Sequence, residues 1–123
     1  MSAGPADAAL PPNAPPFVLQ TSLEDASAVI RCTGKLTAGH TGILRDEVKR
    51  LIPQSKKIVL DLTDLTLMDS LGLGTIVGLY VSAKASGSRL VLINLSPRVG
   101  DLFRITNVWS ILEVYGENIM RMP

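Results

Sequence analysis

Two apolar runs, Lys57–Leu62 (KIVLDL) and Arg89–Leu95 (RLVLINL), enclose a stretch from Ser70 to about Ala85 that is apolar almost all round at helical spacing. No other feature constrains the fold as much. Strands without a polar face are central and buried. Two such strands joined by a helix run parallel, through a right-handed crossover. Thr41–Ile52 supplies a second helix, with Ile43, Leu44, Val48, Leu51 and Ile52 on one face. Arg45, Asp46, Glu47, Lys49 and Arg50 fall largely on the other, and Pro53 ends it. Upstream, Phe17–Thr21 and Ala28–Thr33 are rich in β-branched residues and separated by a polar Ser-Leu-Glu-Asp turn, an antiparallel pair after which Gly34 breaks the pattern. Cys32 alternates with Ile30 on the second strand and belongs to the core. Pro97 to about Thr106 forms a short helix with Val99, Leu102 and Phe103 facing in, and Trp109–Tyr115 reads as a last strand, its Trp109 ring in core or edge packing. The order ββαβαβα(β) describes a single α/β domain. Its mixed four- to five-stranded sheet carries helices packed mainly on one face.

Composition narrows the function. A chain of 123 residues is one domain. Twelve basic against eleven acidic side chains leave a net charge of +1, which gives no electrostatic footprint for nucleic acid or an anionic membrane. One cysteine (Cys32) and one histidine (His40) exclude a Cys/His zinc site and an internal disulfide, no EF-hand spacing occurs, and no cofactor is expected. No signal-peptide pattern and no run of about 18 apolar residues appear, so no direct membrane insertion is expected and the cytoplasm is the expected compartment. The first 16 residues hold five of the eight prolines and five alanines. Too little apolar surface is present there to offset ordering entropy, so residues 1–16 read as a disordered arm and residues 17–123 as the folded domain. No basic residue flanks the prolines, as polyproline recognition would favour.

Asp61–Tyr80 (DLTDLTLMDSLGLGTIVGLY) carries the information. A buried strand ends, a loop bearing Thr63, Asp64 and Asp69 runs out, and Ser70 stands at or near the N-cap of the next helix. Gly72 and Gly74 follow, leaving Ser70 open to close approach by another protein's backbone. One reading is purely structural: a Ser70 or Asp69 N-cap, with glycines for close helix–strand packing. A dinucleotide fingerprint fits poorly, because Gly72, Gly74 and Gly78 are spaced G-x-G-x-x-x-G and Asn94-Leu95 end the following strand where an acidic residue is needed. A serine nucleophile would need a base; His40 is the single histidine, and no G-x-S-x-G elbow surrounds Ser70. A phosphate-accepting serine fits better, since first-turn N–H groups and the helix dipole favour added negative charge. Met68 either anchors the loop or presents an apolar contact.

Met68-Asp69-Ser70-Leu71-Gly72-Leu73-Gly74, directly after Ile58-Val59-Leu60-Asp61-Leu62, resembles the phosphorylation-site loop of STAS domains, and among them the bacterial anti-sigma factor antagonists. The Gly34-Lys35-Leu36 turn, the Arg89-Leu90-Val91-Leu92 strand and the Ser96-Pro97-Arg98-Val99 helix opening extend the likeness over about Phe17–Tyr115. The resemblance implies a STAS-type α/β fold and a non-enzymatic role. The unphosphorylated protein would bind an anti-sigma factor, a serine-protein kinase, and so free the sigma factor. Phosphorylation of Ser70 would end that binding and a phosphatase would restore it. Met68, Asp69, Leu71, Gly72 and Gly74, with Lys35, Thr37 and His40 across the sheet edge, would form the phosphosite loop and partner surface. Two positions depart from the family's pattern: Leu71 follows the serine where a small residue is common, and Thr37 stands where an acidic one is common. Those departures keep open a second role on the same fold, a STAS subunit of a stress-signalling scaffold or a lipid-transport ATPase complex.

Overall fold

The computed structural model of the protein describes residues 15–115, apart from the Trp109 side chain. Most of the expected arm, residues 1–14, and the place of the Trp109 ring therefore lie outside the described residues. Five strands form one sheet in chain order: β1 (Phe17–Glu24), β2 (Ser27–Leu36), β3 (Lys57–Met68), β4 (Arg89–Ile93) and β5 (Glu113–Tyr115). β1 pairs antiparallel with β2, and every later pairing is parallel. Three helices make the crossovers: α1 (Thr41–Leu51), α2 (Ser70–Ala85) and α3 (Pro97–Thr106). Because the sheet grows in one direction, each right-handed crossover sets its helix on the same face. That face is the core. Ala28, Ile30 and Cys32, then Ile58, Leu60 and Leu62, then Leu90 and Leu92 are all buried under Leu44, Val48, Leu51, Leu73, Ile76, Leu79, Val99 and Phe103. Burial pushes the Cys32 thiol up to about 12, with the Asp61 charge adding to it. It is an inert core sulfur.

Three strands outrun the sequence reading: β1 continues past Thr21 to Glu24, so that Ser22, Leu23 and Glu24 of the expected turn are paired strand, and the extensions of β2 and β3 matter for the site. Gly34 does not end β2; it takes a φ of 105° that glycine tolerates, and the strand continues to Leu36. β3 likewise passes Leu62 and runs to Met68, so Thr63 and Asp64 lie on a strand and not in a loop. The two strands support each other through register shifts between Arg31 and Thr33 and between Gly34 and Lys35. These bulges break the period-2 alternation that would have marked a strand. Polar side chains in this stretch are partnered: Arg31 Nε donates to Asp64 Oδ2 at 2.8 Å, and Thr66 Oγ1 to the Gly34 carbonyl at 3.1 Å. At the other end, the expected Trp109–Tyr115 strand shrinks to three residues behind a 3-10 turn at Val108–Ser110.

Candidate functional site

The paired extensions of β2 and β3 end together, with Leu36 opposite Met68, and so bring the β2–α1 connection against the start of α2. Asp69 ties the two. Its Oδ1 accepts from the Gly72 N–H at 2.8 Å, its Oδ2 accepts from the Ala38 N–H at 3.0 Å, and its own N–H donates to the Leu36 carbonyl at 3.3 Å. Asp69, with extended backbone, is thus the N-cap of α2. Ser70 is not the cap, as the sequence left open; it is the first helical residue, exposed and free of capping duty.

The other predicted residues divide by exposure. Met68 is only 6% exposed, so it anchors the loop. Leu71 is 59% exposed beside Ser70, an apolar side chain offered to solvent. Gly72 is buried; an added Cβ would lie 2.3 Å from the Leu36 carbonyl oxygen, so only glycine lets α2 start this close to β2. Gly74 is exposed, and its added Cβ would meet nothing within 4 Å. Lys35 is exposed at the end of β2, and Thr37 is half-buried with its Oγ1 3.2 Å from His40 Nδ1. The flanking placement of residues 35–40 beside the Asp69–Ser70 loop is therefore what the structure shows. Sequence reasoning missed the Leu36 carbonyl and the Ala38 N–H, because backbone partners leave no residue-type signal.

The backbone N–H of Gly72 does most to hold the Asp69 carboxyl below the usual carboxylate range; burial opposes it, and the N–H of Ala38 adds a lesser lowering. A depressed carboxylate stabilises the fold above its unfolded pKa, and that contribution is lost as pH falls through the lower folded value. Asp69→Ala is expected to cost about 2 kcal/mol, roughly 1 for the cap and roughly 1 for the Ala38 tie. Urea unfolding as a function of pH checks it. The wild-type advantage over Asp69→Ala shrinks as pH drops below the ordinary aspartate range; a gap unchanged there would contradict the assignment.

A family model described as STAS domain matches residues 19–117. The chain belongs to the STAS domain family. A curated relative, an anti-sigma-B factor antagonist of Bacillus subtilis, is 33% identical to this STAS protein over 85 residues, covering 69% of the chain and 78% of the relative. The solved structure of the anti-sigma factor antagonist SpoIIAA in its unphosphorylated form superposes with a TM-score of 0.68 at 23% identity, covering 85% of this chain and 90% of that one. The phosphorylated form of the Bacillus cell fate determinant SpoIIAA gives 0.64 at 22% identity, covering 85% and 94%. Those two likenesses bear on the STAS fold, which the five-stranded mixed sheet and three helices match.

Proposed function

We propose that this STAS protein is an anti-sigma factor antagonist, a non-enzymatic binding module of the cytoplasm switched at Ser70. One observation carries the reading: an exposed serine opens α2 on a start held rigid by Asp69, with the exposed Leu71 beside it. Its relatives, anti-sigma-B and anti-sigma F factor antagonists, support it. Ser70 is the phosphoacceptor. Met68, Asp69 and Gly72 fix the loop, while Leu71, Gly74, Lys35, Thr37 and His40 face the partner. The partner is an anti-sigma factor with serine kinase activity, and a phosphatase resets the switch.

The test titrates the full chain into a purified kinase-type anti-sigma factor from the same organism. Mass spectrometry of Ser70 after incubation with ATP completes it. Wild type and Ser70→Ala are expected to bind and Ser70→Asp to lose binding, with phosphate on Ser70 alone. Ser70→Ala leaves stability nearly unchanged, because the cap belongs to Asp69. Equal affinity of Ser70→Ala and Ser70→Asp would sink the reading. Copurification with membrane ATPase subunits or a large scaffold, indifferent to the substitution, would move the function to a STAS subunit of such an assembly. Among the described residues no helix is long and apolar enough to cross a membrane.

A further inference from the structure

We infer that the groove between α1 and α2 seats an acidic helix of the protein partner, an inference that rests on the proposed binding role and gives the partner its chemistry. The groove encloses about 380 Å³ and is lined by Arg45 and Lys49 from α1 and by Leu71, Gly74 and Gly78 from α2, among others. Among the described residues no carboxylate lines it; Asp46, between the two cations in sequence, is not part of the lining.

The glycines are the first argument. Each glycine inside a helix costs about 1 kcal/mol relative to alanine. Gly72 has an internal reason, the Leu36 carbonyl. Gly74 and Gly78 have none: a Cβ on either would meet nothing within 4 Å, and neither has a positive φ. They stand four residues apart on the exposed side of α2, where the missing side chains let a second helix approach closer than the usual 8–10 Å of packed helices, by about an ångström or two.

Charge is the second. The ion pairs among the described residues engage Arg31, Arg50, Arg89 and Arg104 with Asp64, Glu47, Glu113 and Asp101. Neither Arg45 nor Lys49 has such a partner among the described residues. Both are exposed and sit one helical turn apart on the groove wall, a spacing that carboxylates at i and i+4 of a facing helix match. Leu71, at the groove's end next to Ser70, supplies the apolar anchor. The arrangement also explains how a phosphate at Ser70 would act: it puts at the mouth of the groove a charge of the same sign as the incoming helix.

The test uses the full chain and the anti-sigma factor of the preceding titration, with two variants. Arg45→Glu/Lys49→Glu reverses the wall, and Gly78→Gln fills the floor with a good helix former. The charge reversal is expected to weaken binding about thirtyfold and to lose most of the salt dependence of affinity. Gly78→Gln is expected to weaken it about tenfold while melting at or above the wild-type temperature, a divergence that misfolding cannot produce. Carbodiimide coupling should join Lys49 to an aspartate or glutamate of the partner. Binding of both variants within about twofold of wild type would overturn the inference and leave the functional reading standing. Loss with the charge reversal alone would overturn the seated helix in favour of long-range steering. An anti-sigma factor that wild type fails to bind overturns the functional reading, and this inference with it.

Discussion

Gly72→Ala is expected to destabilise the fold by about 2–3 kcal/mol, lowering the melting temperature by roughly 10–20 °C. The added methyl carbon would sit 2.3 Å from the Leu36 carbonyl oxygen and 3.0 Å from Met68 Cγ. Met68 could yield, but the carbonyl is backbone, and it also accepts the Asp69 N–H. Relief therefore means parting α2 from the end of β2 and straining the Asp69 bonds that tie them. Overpacking of this kind costs roughly 1–3 kcal/mol and a loosened hydrogen bond about 1, while alanine's helix propensity returns at most about 1. Gly74→Ala and Gly78→Ala should move the other way, each gaining up to about 1 kcal/mol, because their added atoms enter open space. Urea unfolding of the three variants side by side decides it. Gly72→Ala as stable as wild type would mean that α2 is not pressed against β2, and the site geometry would have to be redrawn.

Those opposite signs within one short motif show what could be read without coordinates. Apolar patterning, with Ser70, Gly87 and Pro97 as end signals, made the helices Ser70–Ala85 and Pro97–Thr106 and the order of elements along the chain legible, because a strand with no polar face and a helix apolar all round have few places to go. The even burial of Ile30, Cys32, Ile58, Leu60 and Leu62 follows from the same pattern. Strand ends were not legible where bulges shift the register, as at Gly34 and from Thr63 to Met68. Asp69 and Ser70 were both visible as cap candidates. Which of them caps depends on the Ala38 N–H, contributed from 31 residues away, and no local spacing encodes that. Gly72 and Gly74 looked equivalent in sequence and differ entirely in what surrounds them. Arg45 and Lys49 read as an ordinary solvated helix face; only the packing of α1 beside α2 turns them into a wall.

Stoichiometric phosphate on Ser70 is expected to weaken binding to the anti-sigma factor about a hundredfold, a penalty of ~3 kcal/mol, while shifting the free protein's melting temperature by only a few degrees. The asymmetry follows from the N-terminus of α2. The sequence alone suggests that the helix end would partly compensate the added charge. In the structure, the Asp69 carboxylate already takes the Gly72 N–H and completes the cap, and its depressed pKa keeps it ionised at neutral pH. Phosphate therefore finds the best-placed donor occupied and a like charge next to it, so it stays in solvent, where repulsion is small. Asp64 adds little: it is paired with Arg31 and lies four residues of strand, ~13 Å, before Met68. Contact with a partner removes that solvent. The charges of phosphate and Asp69 are then desolvated together against a surface shaped for a hydroxyl, and the penalty falls on the complex instead of on the fold. Calorimetric titration of both forms and scanning calorimetry of the free proteins give the two numbers. Phosphorylation that unfolds or rearranges the free domain, with binding lost only in proportion, would show that the switch works through internal conformation. Unchanged stability with affinity lost a hundredfold would place the entire effect of the modification at the interface.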